Sequence, residues 1–314
     1  MLSLAVALAA LTTAPVSTEI VLPSQPAPLH GTLLTPPGAS AVAVILPGSG
    51  PTDRDGNSPM GVAAGTYRLL AEGLADQGIA TLRIDKRGIA ASAAAGPAEA
   101  DLRFDAYAAD ARAWAAEAAA RAGKPCAWLI GHSEGALVAL KAVAGGDDPE
   151  SSKVCGLILL AGAGRPAGVV LREQLTALPD PLKTQAYDAL TELEAGRTVA
   201  EPPAALAALF RPSVQPYLIS WLPLDPAMLL AAYDGPVFIG QGTTDIQVGV
   251  IDAQALAAAD PDATLKLWDG VNHVLKTAPA DRAGNLATYA DPDLPLAPGV
   301  TQDVAAFIRT NAAR

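Results

Sequence analysis

Residues 131 to 135 read Gly131-His132-Ser133-Glu134-Gly135, set between an apolar run, Cys126 to Ile130, and a helix-forming run, Ala136 to Val143. An apolar run of strand length, a tight turn and a helix directly after it make a strand-turn-helix unit, which commits the chain to an α/β architecture. Glycine on both flanks lets strand and helix pack closely, because no Cβ separates the two backbones. The turn holds the Ser133 hydroxyl clear of the chain and sets the helix N-terminus behind it, where partial positive charge favours a developing anion. Ser133 is thus the candidate nucleophile. A chain with 28 glycines also produces this pentapeptide in ordinary turns, and the flanking strand and helix are what separate the two readings.

The rest of the chain repeats the alternation. Glu19 to Leu22 and Leu29 to Leu34 read as an antiparallel start. Strand-like runs then recur at 42–46, 80–84, 127–130, 156–160, 237–239 and 264–268, mostly separated by helical segments such as 67–77 and 104–122. This order predicts a mostly parallel central sheet with helices on both faces. With 51% hydrophobic and 17% charged residues, 314 residues can bury one large core. The regular spacing breaks at about 163–234, where helical stretches at 170–176 and 183–196 alternate with proline-rich pieces; this predicts a helical cap inserted over the strand ends. Residues 277–300 are expected to wrap the surface.

A net charge of -11 with no basic cluster argues against nucleic acid and anionic membrane surfaces, and for a neutral small-molecule substrate. Residues 1–18 carry an apolar run followed by small residues, which resembles a secretory leader without the usual preceding Lys or Arg, and the expectation is export. The run is too short to span a bilayer. Cys126 and Cys155 lack metal-site spacing. If their strands are neighbours they could bond to each other, but buried free thiols are the expected state. No metal or cofactor is expected.

A serine at its ordinary pKa needs a base, and the base needs an acid to orient it. Of three histidines, His30 lies in the first hairpin and His132 is expected to point away from Ser133 by strand alternation, which leaves His273, in the loop after the last predicted strand. The acid is expected after the preceding strand, where Asp245 follows a glycine turn; Asp225 is the rival, and capping of a helix is the plain alternative for Asp245. An oxyanion formed on an attacked carbonyl needs backbone donors. Glu134, directly after the nucleophile, offers one N–H; Ser49, in the glycine-rich loop after 42–46, offers the other.

Together the segments Pro47 to Pro51, Asp53-Arg54-Asp55, Asp85-Lys86-Arg87-Gly88, Gly131 to Gly135 and Asn272 to Lys276 resemble the serine esterase branch of the α/β-hydrolase superfamily, over roughly residues 28–312. The resemblance implies the α/β-hydrolase fold with a cap, a Ser133, Asp245 and His273 triad, and hydrolysis of carboxylic esters through an acyl-enzyme. One departure is Ala90, where the family usually has glycine; a left-handed backbone there would force the loop near Ser92 to bend differently. Glu134 is expected either to pair with Arg54 or Arg87 or to face solvent. Leu206, Leu209, Leu218 and Trp221 are candidates for an acyl pocket or for plain packing. An acyl-CoA thioesterase would need basic residues for phosphates, an oligopeptidase usually carries a large extra domain absent here, and a non-catalytic binding module would normally lack a triad member.

Overall fold

The apolar runs form strands because β-branched and small residues fill a pleated surface covered on both faces. In the computed structural model, which describes residues 14–144 and 151–312, they are β1 (Val16–Leu22), β2 (Leu29–Thr35), β3 (Ala41–Leu46), the short β4 (Asn57–Ser58) and β5 (Val62–Ala63), β6 (Ile79–Ile84), β7 (Ala127–His132), β8 (Val154–Leu160), β9 (Val237–Gly242) and β10 (Thr264–Trp268). Helices α1 (Thr66–Ala75), α2 (Phe104–Ala122), α3 (Glu134–Val143), α4 (Ala167–Leu175), α5 (Leu182–Glu194), α6 (Ala207–Phe210), α7 (Gln215–Trp221), α8 (Pro226–Ala231), α9 (Val250–Ala259), α10 (Arg282–Ala287) and α11 (Val300–Asn311) connect or follow them.

Eight strands make one sheet in the order β1-β2-β6-β3-β7-β8-β9-β10. β2 is antiparallel to both β1 and β6, and the remaining pairs are parallel. The expected α/β-hydrolase fold is therefore present. Alternation along each strand divides the core in two. Val42, Val44 and Leu46 of β3 join Trp114 of α2 and Leu140 of α3 on one face, while Ala43 and Ile45 join Tyr67 of α1 and Ile308 of α11 on the other. β3 and β7 are neighbours, and the helices that follow them, α1 and α3, pack on opposite faces of the sheet; this opens a crevice at the strands' C-terminal ends.

The segment between β8 and β9 carries α4 to α8, and it is tied to the sheet's helices. Tyr217 of α7 packs against Phe104 and Tyr107 of α2, with ring centroids 6.1 and 5.8 Å apart. The Phe104 N–H donates to Ser220 Oγ at 2.9 Å. Leu206 packs half-buried against the core, whereas Leu209, Leu218 and Trp221 line a cavity. β1 begins at Val16, earlier than the sequence reading placed the first strand, and Val16 to Thr18 pair with Leu33 to Thr35. The apolar run before it, residues 1–13, lies outside the described residues. No helix among the described residues is long and apolar enough to cross a membrane.

The expectation of free thiols is corrected: Cys126 and Cys155 form a disulfide with Cα atoms 5.2 Å apart. β7 and β8 are parallel neighbours, and their register shifts so that Ala127 faces Val154 but Trp128 faces Gly156. Cys155 is the additional residue at this bulge, which re-aims its side chain toward the strand entry where Cys126 sits.

Candidate functional site

The sharp turn between β7 and α3 depends on the missing side chains of its glycines. A Cβ on Gly131 would lie 2.2 Å from the Gly135 carbonyl oxygen, and one on Gly135 would lie 2.3 Å from that of Leu46. Between them Ser133 takes φ 55 and ψ -122, a backbone that non-glycine residues rarely adopt. Its N–H is held by the Leu160 carbonyl at 2.9 Å, so the sheet keeps the serine in that conformation.

Asp245 and His273 lie in the loops after β9 and β10, at the same end of the sheet. His273 Nδ1 donates to Asp245 Oδ2 at 2.8 Å. The other Asp245 oxygen accepts the N–H groups of Gln247 at 2.8 Å and Val248 at 3.0 Å, and Gln241 Nε2 donates to Oδ2 at 3.1 Å. Burial works to raise the Asp245 pKa, but the interaction with His273 and the backbone N–H groups of Val248 and Gln247 outweigh it, so the carboxyl sits below its ordinary value. Asp225, the rival acid, caps α8 by accepting from Ala227 N at 3.0 Å and Met228 N at 3.2 Å. The His273 loop is braced by Asn272, whose Oδ1 accepts from Lys276 N at 3.2 Å and whose Nδ2 donates to Thr288 Oγ1 at 2.7 Å.

Ser133 and His273 line one cavity of about 810 Å³, which Ser49, Glu134 and the side chains of α4 and α7 also line. Gly48 brings the loop after β3 against the serine: a Cβ on it would sit 3.2 Å from Ser133 Cβ. The next residue, Ser49, is exposed at the cavity, and Glu134 is the first residue of α3, so its N–H has no partner within the helix. A larger hollow of about 1330 Å³ lies at the strands' N-terminal ends near Cys126 and Cys155 and contains none of the candidate residues.

Several contacts differ from the sequence reading. Glu134 is buried and faces Lys86, with Nζ 3.7 Å from Oε1. Arg54 is occupied by Asp85 and Glu19, and Arg87 by Asp110, so neither reaches Glu134. His132 finds its hydrogen-bond partners in Tyr67 and the His273 backbone. Its Nε2 lies 2.7 Å from the His273 carbonyl oxygen, which can only accept, so Nε2 carries the proton and Nδ1 accepts from the Tyr67 hydroxyl at 2.9 Å. Tyr67 in turn accepts from Gly48 N at 2.9 Å. Burial, followed by repulsion from His273, lowers the His132 pKa to about 3 and keeps this bridge neutral.

Ala90 has φ 46, so an alanine occupies left-handed backbone that favours glycine. Ser92 is buried, with its Oγ accepting from His30 N at 2.9 Å. Tyr67, Lys86 and Gln241 escaped the sequence reading because nothing in their local pattern marks them; only the lysine's place in Asp85-Lys86-Arg87-Gly88 could have drawn attention to it. Among the described residues no group of three or more His, Cys, Asp or Glu is arranged to hold a metal.

The family model described as "Serine aminopeptidase, S33" (Hydrolase_4) matches residues 60–260, more than half of the chain. No curated protein matches. Among solved structures, Est1E from Butyrivibrio proteoclasticus with ferulic acid bound superposes with a TM-score of 0.61 at 18% identity, covering 94% of this chain and 100% of that one. The Pyrococcus furiosus esterase Pf2001 gives 0.55 at 16% identity, covering 94% and 93%. A bromoperoxidase from Bacillus anthracis gives 0.54 at 12% identity, covering 93% and 100%. At such identities the likeness is one of fold.

Proposed function

We propose, from the premise that this chain belongs to the serine aminopeptidase, S33 family of α/β-hydrolases, that it cleaves carboxylic esters of neutral, short to medium acyl chain through an acyl-serine. The observation that carries this reading is the buried 2.8 Å hydrogen bond between His273 and Asp245, at the strand end where Ser133 sits in its strained turn and on the cavity that Ser133 lines. In this mechanism Ser133 Oγ attacks the acyl carbon while His273 Nε2 takes its proton, and Asp245 fixes the imidazole and stabilises the imidazolium. The tetrahedral oxyanion accepts from the Ser49 and Glu134 N–H groups. His273 then protonates the leaving alcohol; water, deprotonated by the same nitrogen, attacks the acyl-serine, and His273 returns that proton to Ser133 Oγ as the acid leaves.

The cavity volume, about 810 Å³, falls within the range of small-molecule sites, and α4 to α7 would act as the cap that limits it. Three cations line it, and each has a carboxylate partner: Lys86 with Glu134, Arg87 with Asp110 and Arg211 with Glu99. That balance favours a neutral acyl group over a polyanionic CoA thioester. The family description favours a second reading, a peptidase of the same mechanism. The disulfide supports export, because such bonds persist in oxidising compartments.

The deciding experiment measures p-nitrophenyl esters of rising chain length and aminoacyl p-nitroanilides on the wild type and on Ser133→Ala. Ester turnover should peak at short to medium chains and fall by roughly 10⁴-fold or more in the variant. Wild-type turnover in Ser133→Ala would remove the mechanism, and a preference for the anilides would replace esterase with peptidase.

A further inference from the structure

We infer that Lys86 is a positioning residue that holds both arms of the oxyanion site; this rests on the serine-hydrolase reading above. Lys86 follows β6 by two residues, and its side chain is 5% exposed. Its Nζ donates to the Gly48 carbonyl oxygen, lies 3.7 Å from Glu134 Oε1 and stands 5.4 Å from the centroid of the Tyr107 ring. The two polar partners belong to the two residues that adjoin or supply the oxyanion donors.

The Gly48 carbonyl and the Ser49 N–H are opposite ends of one planar peptide unit. An ammonium that anchors the oxygen therefore sets the direction of the N–H, and a charged donor on the carbonyl polarises that N–H further. The Gly48 N–H is separately held by the Tyr67 hydroxyl at 2.9 Å, so the residue ahead of Ser49 is pinned at both ends. On the other arm, Glu134 supplies its backbone N–H while carrying a buried carboxylate. Uncompensated negative charge in that position would oppose the oxyanion, and the Lys86 ammonium balances it. The neighbouring arginines do not share this task, since Arg54 is bound to Asp85 and Glu19, and Arg87 to Asp110.

The test compares kcat and KM for a short p-nitrophenyl ester in the wild type, Lys86→Met, Glu134→Gln and the double variant, with thermal melts of each and fluorophosphonate labelling of Ser133. Lys86→Met should lower kcat about 100-fold, the loss expected for one oxyanion arm, with KM within about threefold. Adding Glu134→Gln should recover about tenfold of kcat, because the uncompensated carboxylate is then gone. Glu134→Gln alone should raise kcat, since a buried carboxylate beside the developing oxyanion is then replaced by a neutral amide. A Lys86→Met enzyme with kcat within threefold of wild type, a loss expressed as raised KM, or a double variant no faster than Lys86→Met would overturn the inference. Should Lys86→Met fail to fold, Glu134→Gln decides alone: an unchanged or lower kcat refutes it. If the wild type neither hydrolyses esters nor labels at Ser133, the functional reading fails; if it does both and Lys86→Met is unaffected, only the role of Lys86 falls.

Discussion

Removing the Cys126 to Cys155 bridge should weaken the fold without touching catalysis. The two residues are separated by 29 positions. In the chain-entropy account, a closed loop of that length removes about 12 cal/mol/K from the unfolded ensemble, which is about 3.6 kcal/mol at 25 °C. With an unfolding entropy of about 2.1 cal/mol/K per residue, a loss of that size lowers Tm by about 5 °C in a chain of 314 residues. The bridge lies at the entry of β7 and Ser133 at its exit, roughly 20 Å away at strand rise, so kcat/KM should stay within about twofold. The assay is urea unfolding of the wild type with and without dithiothreitol, beside the Cys126→Ala, Cys155→Ala double variant. Reduction and double substitution should move the midpoint to the same place. Identical midpoints for all three samples, or two thiols titrating in the unreduced protein, would refute the reasoning.

Asp245→Asn should lower kcat by roughly 10⁴-fold, because the amide cannot support the imidazolium, whereas Asp225→Ala should cost about 1 kcal/mol of stability as a lost helix cap and leave turnover intact; reversed results would reassign the acid. Ala90→Gly should stabilise by about 0.5–1 kcal/mol, since φ 46 strains an alanine and not a glycine, and a destabilised variant in chemical unfolding would contradict this. His132 titrates at about 3 when folded against an ordinary 6.5, first through burial and then through repulsion from His273, so the unfolded chain binds more protons between those values. The stability this supports is present above about pH 6.5 and falls as the pH drops toward 3, by up to ~1.4 kcal/mol per pH unit. His132→Asn should flatten that slope relative to wild type; parallel stability curves would show that His132 is not its source.

The architecture and three candidate site positions were readable locally. Every long strand and the helix Phe104 to Ala122 follow from runs of apolar residues whose length and period are properties of a few neighbours. Ser133, Asp245 and His273 could be singled out because parallel strands bring all their exits to one edge, so residues just past different strands become neighbours whatever lies between them. Glycines 131 and 135 carried information for the same reason: their missing Cβ atoms matter within a single turn. Tertiary structure alone decided which strands adjoin, and the consequences that needed it were those the sequence reading missed or misjudged. Cys126 met Cys155 through one bulge in the pairing of β7 with β8. Glu134 met Lys86, and Tyr67 met His132, because β3 lies between β6 and β7 with α1 on one face; no pattern within any of those segments encodes the encounter. Backbone periodicity is set by the nearest residues and survives in a linear string. The partner of a buried charge or thiol is set by chain crossings tens of residues long, and it exists only once the sheet has closed around it.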